Sequence, residues 1–162
     1  MEWPTLWKIH WIVPLYKRNS VFLATNYRGV HFTAQMSKLF ERVIKRKLEP
    51  HLEKVCAYGP NQFAYRKERG ARDLVLTLIL EWLTVLDNRG KIALFCSDVS
   101  GAFDKVCTKR LAMKLRHHRV HERMVELLIS WLSARRAQVI VGGARSDEYQ
   151  IDNQVYQGNP RT

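Results

Sequence analysis

The sequence is short of acidic residues: 15 Asp and Glu stand against 27 Lys and Arg, a formal net charge of +12 with a pI near 10.0. That imbalance favours a polyanionic partner, nucleic acid first and an anionic membrane surface second; the plainer reading is a generally basic, soluble surface. Cysteine is scarce too. Cys56, Cys96 and Cys107 cannot all pair with one another, and none stands in a CxxC spacing, so the sequence has neither a disulfide framework nor a local zinc motif. This usage fits an intracellular setting, nuclear or cytoplasmic. A secretory signal is missing from the start as read: Glu2 stands where basic residues belong, and Pro4, Lys8 and His10 interrupt any apolar core. No apolar run is long enough to span a bilayer; the longest, Leu74 to Leu86, contains Glu81. Internal repeats, low-complexity linkers and any pair of adjacent aspartates are absent as well.

What is present is the mix of a folded chain: 162 residues, 46% hydrophobic and 26% charged. The length suits one domain with a real core, or a piece of something larger. Trp7, Ile9, Trp11 and Val13 alternate, which predicts a strand with that face buried, limited at its far end by Pro14. Lys17 to Ser20 reads as a basic turn and Thr25 to Gly29 as a polar loop. Met36, Leu39, Phe40, Val43, Ile44 and Leu48 fall at helical spacing beneath a basic outer face, with Pro50 kinking or ending the helix. A second helix is predicted over Ala71 to Asp87, with Gly90 just past its last turn. Ile92 to Cys96 is an unbroken apolar run, the mark of a strand buried on both faces, in which Cys96 is a small buried hydrophobe. Thr108 can cap a helix over Lys109 to Arg116. Another helix follows over Glu122 to Leu132. Ala137 to Val141 reads as a strand, Gly142-Gly143 as its turn, and Glu148 to Ile151 as its hairpin partner. The class is α+β, helices packed on a small sheet. The six histidines show no ligand spacing, and His117, His118 and His121 read as surface groups in a turn.

Asp98 is the sharpest single feature, a carboxylate delivered to the C-terminal end of an apolar strand. It can equally cap the following turn through backbone amides. Asp98-Val99-Ser100-Gly101-Ala102-Phe103-Asp104 resembles the A motif of reverse transcriptases, above all those of non-LTR retrotransposons. Asn26-Tyr27-Arg28, followed by Ser37-Lys38-Leu39-Phe40-Glu41-Arg42-Val43-Ile44, is similar to the fingers signature of that family. Gln62-Phe63-Ala64-Tyr65-Arg66 with Gly70 and Asp73 resembles its Gln-Phe-Gly-Phe-Arg segment. Val155-Tyr156-Gln157-Gly158-Asn159-Pro160 resembles its B motif. The four motifs run in family order through nearly the whole chain.

The resemblance implies a partial right-hand polymerase fold, fingers and part of the palm, with residues 1–90 fingers-like and including some palm helix, and 91–162 palm-like. It implies an RNA-directed DNA polymerase that acts by two-metal nucleotidyl transfer on an RNA template, a DNA primer and dNTPs, with Mg²⁺ as cofactor and no membrane. By the same resemblance Asp98 ligates the metals with the Val99 carbonyl. Phe103 lies under the incoming sugar and excludes a 2′-hydroxyl, or is ordinary core. Arg28 grips the triphosphate and Lys17 assists it, or both are solvated. Gln157 belongs to the dNTP site, and it and Gly158 approach the templating base pair. Arg66 and Arg69 track template–primer phosphates, or form a solvated face. Asp104 is structural.

Departures from the family pattern accompany the match. The Tyr-x-Asp-Asp hairpin that carries the remaining carboxylates is missing from these 162 residues. Gly29 stands for a proline, and Tyr156 and Asn159 replace the Pro and Ser of the B motif. The expectation is therefore a partial domain with no polymerase activity by itself. The alternatives are a non-catalytic, basic nucleic-acid-binding remnant of a retrotransposon, or a fragment whose incomplete sheet leaves strand edges exposed to aggregation.

Overall fold

A computed structural model describes residues 2–156. In chain order the elements are β1 (Ile9–Tyr16), β2 (Tyr27–Phe32), α1 (Gln35–Lys54), α2 (Ala71–Asp87), α3 (Thr108–His117), α4 (Glu122–Leu132), β3 (Arg135–Val141), β4 (Ala144–Arg145) and β5 (Tyr149–Ile151). They fall into two compact units. One holds the residues up to Val55 and those from Gly101 onward; the other holds Cys56–Ser100. The architecture is α+β. No helix among the described residues is long and apolar enough to cross a membrane.

The first unit is built on a mixed sheet. β1 pairs antiparallel with β2 and parallel with β3, and β3 pairs antiparallel with β4 and β5. Parallel neighbours need a crossover, which here carries α1, α3 and α4. The registers Ile12↔His31, His10↔Ala137 and Arg135↔Ile151 place these residues on one face of the sheet, and all but the half-buried Ile12 are buried. Trp11↔Phe32 and Val13↔Val30 belong to the opposite face, where Trp11 is 44% exposed.

The alternation in β1 is therefore real, but its buried face is the one that carries His10. The even-numbered positions, His10, Ile12 and Pro14, include no fully polar residue, so the pattern alone does not set which side turns inward. Trp7 lies outside the strand, in the 3₁₀ turn Thr5–Lys8. Pro14 lies inside it, opposite Gly29.

The core sits between this sheet face and the helices. Trp3 packs with Trp7, Phe40, Ile44, Leu127 and Trp131. A second cluster, Ala112, Leu115, Val120 and Val125, receives Leu48 and Leu52 from α1. Phe40, Ile44, Leu48 and Leu52 are thus the working stripe of α1, while Met36, Leu39 and Val43 stay exposed. The helix runs through Pro50 to Lys54 rather than ending there. Proline removes one backbone bond, and Leu48 and Leu52, anchored on either side of it, hold the last turns in line. α3 starts at Thr108, so its cap position falls on Cys107. The backbone amides of Arg110 and Lys109 hold the Cys107 thiol below its usual range, Arg110 contributing most. The β3–β5 pairing forms as the sequence predicts, and so does α4.

In the second unit, α2 has the predicted bounds. The Asp73 carboxylate accepts the Gly70 N–H at 2.7 Å, closing the first turn. At the far end, the Gly90 N–H donates to the Val85 carbonyl at 2.8 Å, and a Cβ on Gly90 would stand 2.6 Å from Val85 Cγ1. Glycine is required there by that close approach. No residue of α2 is buried. The predicted buried strand over Ile92 to Cys96 does not form: Phe95 is 88% exposed, and Cys96 is exposed as well. A strand is a property of pairs, and this run is not among the paired segments of the described residues.

Candidate functional site

Arg28 stands on β2 opposite Leu15, one residue from the Tyr16↔Tyr27 pair at the end of the ladder. Its register puts it on the open sheet face with Trp11 and Phe32. Beyond the ladder, the Lys17 N–H donates to the Asn26 carbonyl at 2.8 Å. The loop between is braced by its own side chains. Asn26 Nδ2 donates to the Ser20 carbonyl at 2.7 Å, the Tyr27 hydroxyl to the Val21 carbonyl at 2.8 Å, and the Tyr16 hydroxyl to the Asn19 carbonyl. In the Asn-Tyr-Arg triplet, Asn26 and Tyr27 thus build the loop from which Arg28 projects, and the fold places Lys17 and Arg28 at the same end of one hairpin.

Phe103 opens the 3₁₀ turn Phe103–Lys105 and is about one-third exposed. Its carbonyl accepts the Val155 N–H at 2.9 Å. That bond joins the segment after Gly101 to the segment leading into Tyr156, two motifs some fifty residues apart in sequence. Gly101 has φ +63°, the left-handed region open to glycine, and its carbonyl accepts the Asp104 N–H at 3.0 Å. A Cβ on Gly101 would lie 3.4 Å from Asp104 Oδ2, so the carboxylate folds back over its own turn.

Asp98 and Val99 end the second unit, exposed and outside any helix or strand. The same unit holds Arg66 and Arg69, both engaged within their own loop. Arg66 Nη1 reaches the Gly59 carbonyl at 3.4 Å, and its guanidinium lies 5.6 Å from the Tyr58 ring. Arg69 Nη1 donates to the Pro60 carbonyl at 2.6 Å and lies 5.7 Å from the Phe63 ring. Gln157 and Gly158 lie outside the described residues.

Below the sheet is a layer of buried polar groups that the sequence did not announce. His10 and His31 stack with ring centroids 5.0 Å apart, and Tyr156 meets His10 edge-on at 4.8 Å. Arg135, fully buried, lies 5.1 Å over the Tyr156 ring. Its Nε donates to the Leu132 carbonyl at 3.2 Å, and its Nη2 donates to the Gln154 carbonyl. Burial, and next the repulsion between the two rings, pushes His10 down to about 4; burial, and next the Arg135 cation, pushes His31 down to about 4. Burial pushes the Tyr156 phenol up to about 12. It also raises the Glu41 carboxyl, whose Oε1 accepts from the Ser37 hydroxyl at 2.9 Å. Both His10 ring nitrogens, His31 Nδ1, Arg135 Nη1 and the Tyr156 hydroxyl have no hydrogen-bond partner among the described residues. The signal in the sequence was one histidine in each of two neighbouring strands, His10 in β1 and His31 in β2.

This layer seats Tyr156, the last described residue before Gln157, against the strands that carry Arg28. Among the described residues no three of His, Cys, Asp or Glu come together in a group that could hold a metal ion. A family model described as reverse transcriptase (RNA-dependent DNA polymerase) matches residues 15–160. No curated protein matches the sequence.

Proposed function

The chain belongs to the reverse transcriptase family, and on that premise we propose that it supplies the fingers and part of the palm of a right-hand polymerase of the non-LTR retrotransposon type. The complete enzyme copies an RNA template into DNA from a primer and dNTPs. The observation that carries this reading is the family match across residues 15–160, most of the chain. In this reading residues 1–90 are mainly fingers and 91–162 palm.

Arg28, with Lys17 beside it on the hairpin, binds the triphosphate; a guanidinium fork pairs with phosphate oxygens. Phe103 closes the sugar pocket against a 2′-hydroxyl. The bond from the Val155 N–H to the Phe103 carbonyl supports a link between that turn and the segment leading into Tyr156; Gln157 and Gly158, which follow in sequence, meet the templating base pair in this reading. Arg66 and Arg69 stiffen the loop that tracks template–primer phosphates, and Asp104 holds its turn. Asp98 contributes one carboxylate to the catalytic centre.

The family generally uses divalent metal ions, but the residues described do not make a Mg²⁺ site. Mg²⁺ takes near-octahedral oxygen ligands, and Asp98 with the Val99 carbonyl supplies too few of them.

With one carboxylate motif, the purified chain is expected to bind primed RNA and leave the primer unextended. A longer polypeptide that joins this sequence to a Tyr-x-Asp-Asp motif extends it. There Asp98→Ala cuts incorporation by roughly 10²- to 10³-fold, the scale of losing a group that stabilises transition-state charge. Primer extension on an RNA template with labelled dNTP reads both outcomes. Incorporation that survives Asp98→Ala removes Asp98 from the centre, and salt-dependent RNA binding without extension in the longer polypeptide favours a binding remnant.

A further inference from the structure

The positive charge is not spread evenly. Residues 42–54 hold five Lys or Arg against two Glu, and residues 108–126 hold six against two, so these stretches carry +7 of the chain's +12. Four of the six histidines, His51, His117, His118 and His121, lie in them as well. The fold brings the two stretches together, because Leu48 and Leu52 of α1 pack on Leu115, Val120 and Val125. Where they meet, Lys47, His51, Arg119 and His121 line a cleft of about 240 Å³ floored by Leu48 and Met124. At about 30 Å³ per water in the liquid, that is room for a hydrated phosphate group.

The cleft presents donors. His51 Nε2 donates to the His118 carbonyl at 2.8 Å, which pins α1 to the α3–α4 turn. His121 Nδ1 accepts the Arg123 N–H at 3.2 Å, so the neutral ring carries its proton on Nε2. Lys47 and Arg119 have no ion-pair partner among the described residues. Glu49, Glu53, Glu122 and Glu126 stand on the same helices, but none lines the cleft. Glu122 is taken by Arg116, whose Nε reaches both carboxylate oxygens at 3.0 and 3.1 Å.

The end of α3 fixes the place of Arg119. It sits at φ +57° just past α3, where the Val120 N–H closes onto the Leu115 carbonyl at 3.0 Å. Helix ends of this form ordinarily use glycine. Arg89 takes the same backbone at the end of α2 (φ +54°), so this geometry fixes where Arg119 stands and no more.

We propose that this cleft and the basic helix surface around it bind the phosphodiester backbone of nucleic acid. The site is separate from the one that Arg28 serves. Arg28 is on the open face of the sheet, whereas the cleft belongs to the helical layer packed toward the buried face. A strand held by Lys47 and Arg119 is therefore a second segment of RNA or DNA, gripped without sequence readout. The choice of nucleic acid over an acidic protein rests on the family membership.

The test is anisotropy of a labelled RNA hairpin with the full chain across a salt series. Lys47→Gln with Arg119→Gln is expected to weaken binding about tenfold or more. It also makes the slope of log K against log salt shallower by about 1.5 to 2, two phosphate contacts' worth. Arg119→Gly is the folding control: it relieves the left-handed backbone and so keeps or raises thermal stability, yet weakens RNA binding. Unchanged affinity and slope in the folded double variant overturn the proposal. So does loss confined to Arg28→Ala, or displacement of RNA by polyglutamate that is unaffected by the double substitution. Because the readout is binding rather than extension, a failure here is distinct from a failure of the polymerase reading.

Discussion

Lowering the pH from about 6.5 toward 4 is expected to remove on the order of 5 kcal/mol of folding stability from this chain. The cause is the buried pair His10 and His31, each held down to about 4 from the ordinary 6.5. Between those values the unfolded chain binds protons that the folded chain refuses, so stability falls as pH falls through that window and levels off below it. One pKa unit is worth about 1.4 kcal/mol, so each ring contributes about 3 kcal/mol. The repulsion between the rings is shared, which keeps the pair below twice that figure.

Other groups face the same layer. Arg135 opposes protonation of both rings, Asp104 favours it at His31, and the raised Glu41 carboxyl returns some stability in acid. Urea unfolding at pH 7.0, 5.5 and 4.5 measures the effect. His10→Phe or His31→Phe should flatten the pH slope by about half, and Arg135→Met should move it to higher pH. A free energy of unfolding that stays level from pH 7 to 4.5 would mean that the imidazoles take up protons as readily in the fold as in the unfolded chain.

Trp3→Ala is expected to cost about 4 kcal/mol, the scale of deleting a fully buried large aromatic. The indole is 2% exposed and meets Phe40 at 5.1 Å, Trp131 at 5.8 Å and Trp7 at 6.0 Å, all between ring centroids. It is the common neighbour of α1, α4 and the N-terminal turn, so its removal opens a cavity that no single element can close. The backbone bond from the Trp3 N–H to Ser130 Oγ, 2.9 Å, survives the substitution and does not compensate. For a chain of this size the loss corresponds to a fall of about 8 to 16 °C in thermal midpoint. Trp3→Phe should recover more than half of it. A drop of less than about 1 kcal/mol would show that the N-terminal segment contributes little to the core.

Both effects arise at places where local pattern was a poor guide. The helices were legible because their signals are local. The apolar spacing of α1 and Gly90 just past α2 each act within a few residues. The β3–β5 hairpin was legible for the same reason, through Gly142-Gly143. The run Ile92 to Cys96 misled because apolar composition states only that a segment can be buried. Whether it becomes a strand depends on an edge offered by residues far away. Strand β1 misled differently: both of its faces can be packed, and the choice was made by what came to lie beneath.

Of the candidate site, residue types and order were readable and proximity was not. Asn26-Tyr27-Arg28 and Ala102-Phe103-Asp104 stand out in one dimension. That the Phe103 carbonyl takes the Val155 N–H is a tertiary fact. So is the packing of Tyr156 against His10 and His31.

The sequence by itself determined the family, the basic charge, the helices and the identity of the residues that carry the chemistry, because these depend on composition, short-range periodicity and motif order. The tertiary structure alone decided which sheet face is buried, that two histidines stay neutral beside an arginine, and that half-distant basic stretches meet in one cleft. Those outcomes depend on which surfaces exclude water from one another, and that is settled only when segments far apart in the chain are packed together.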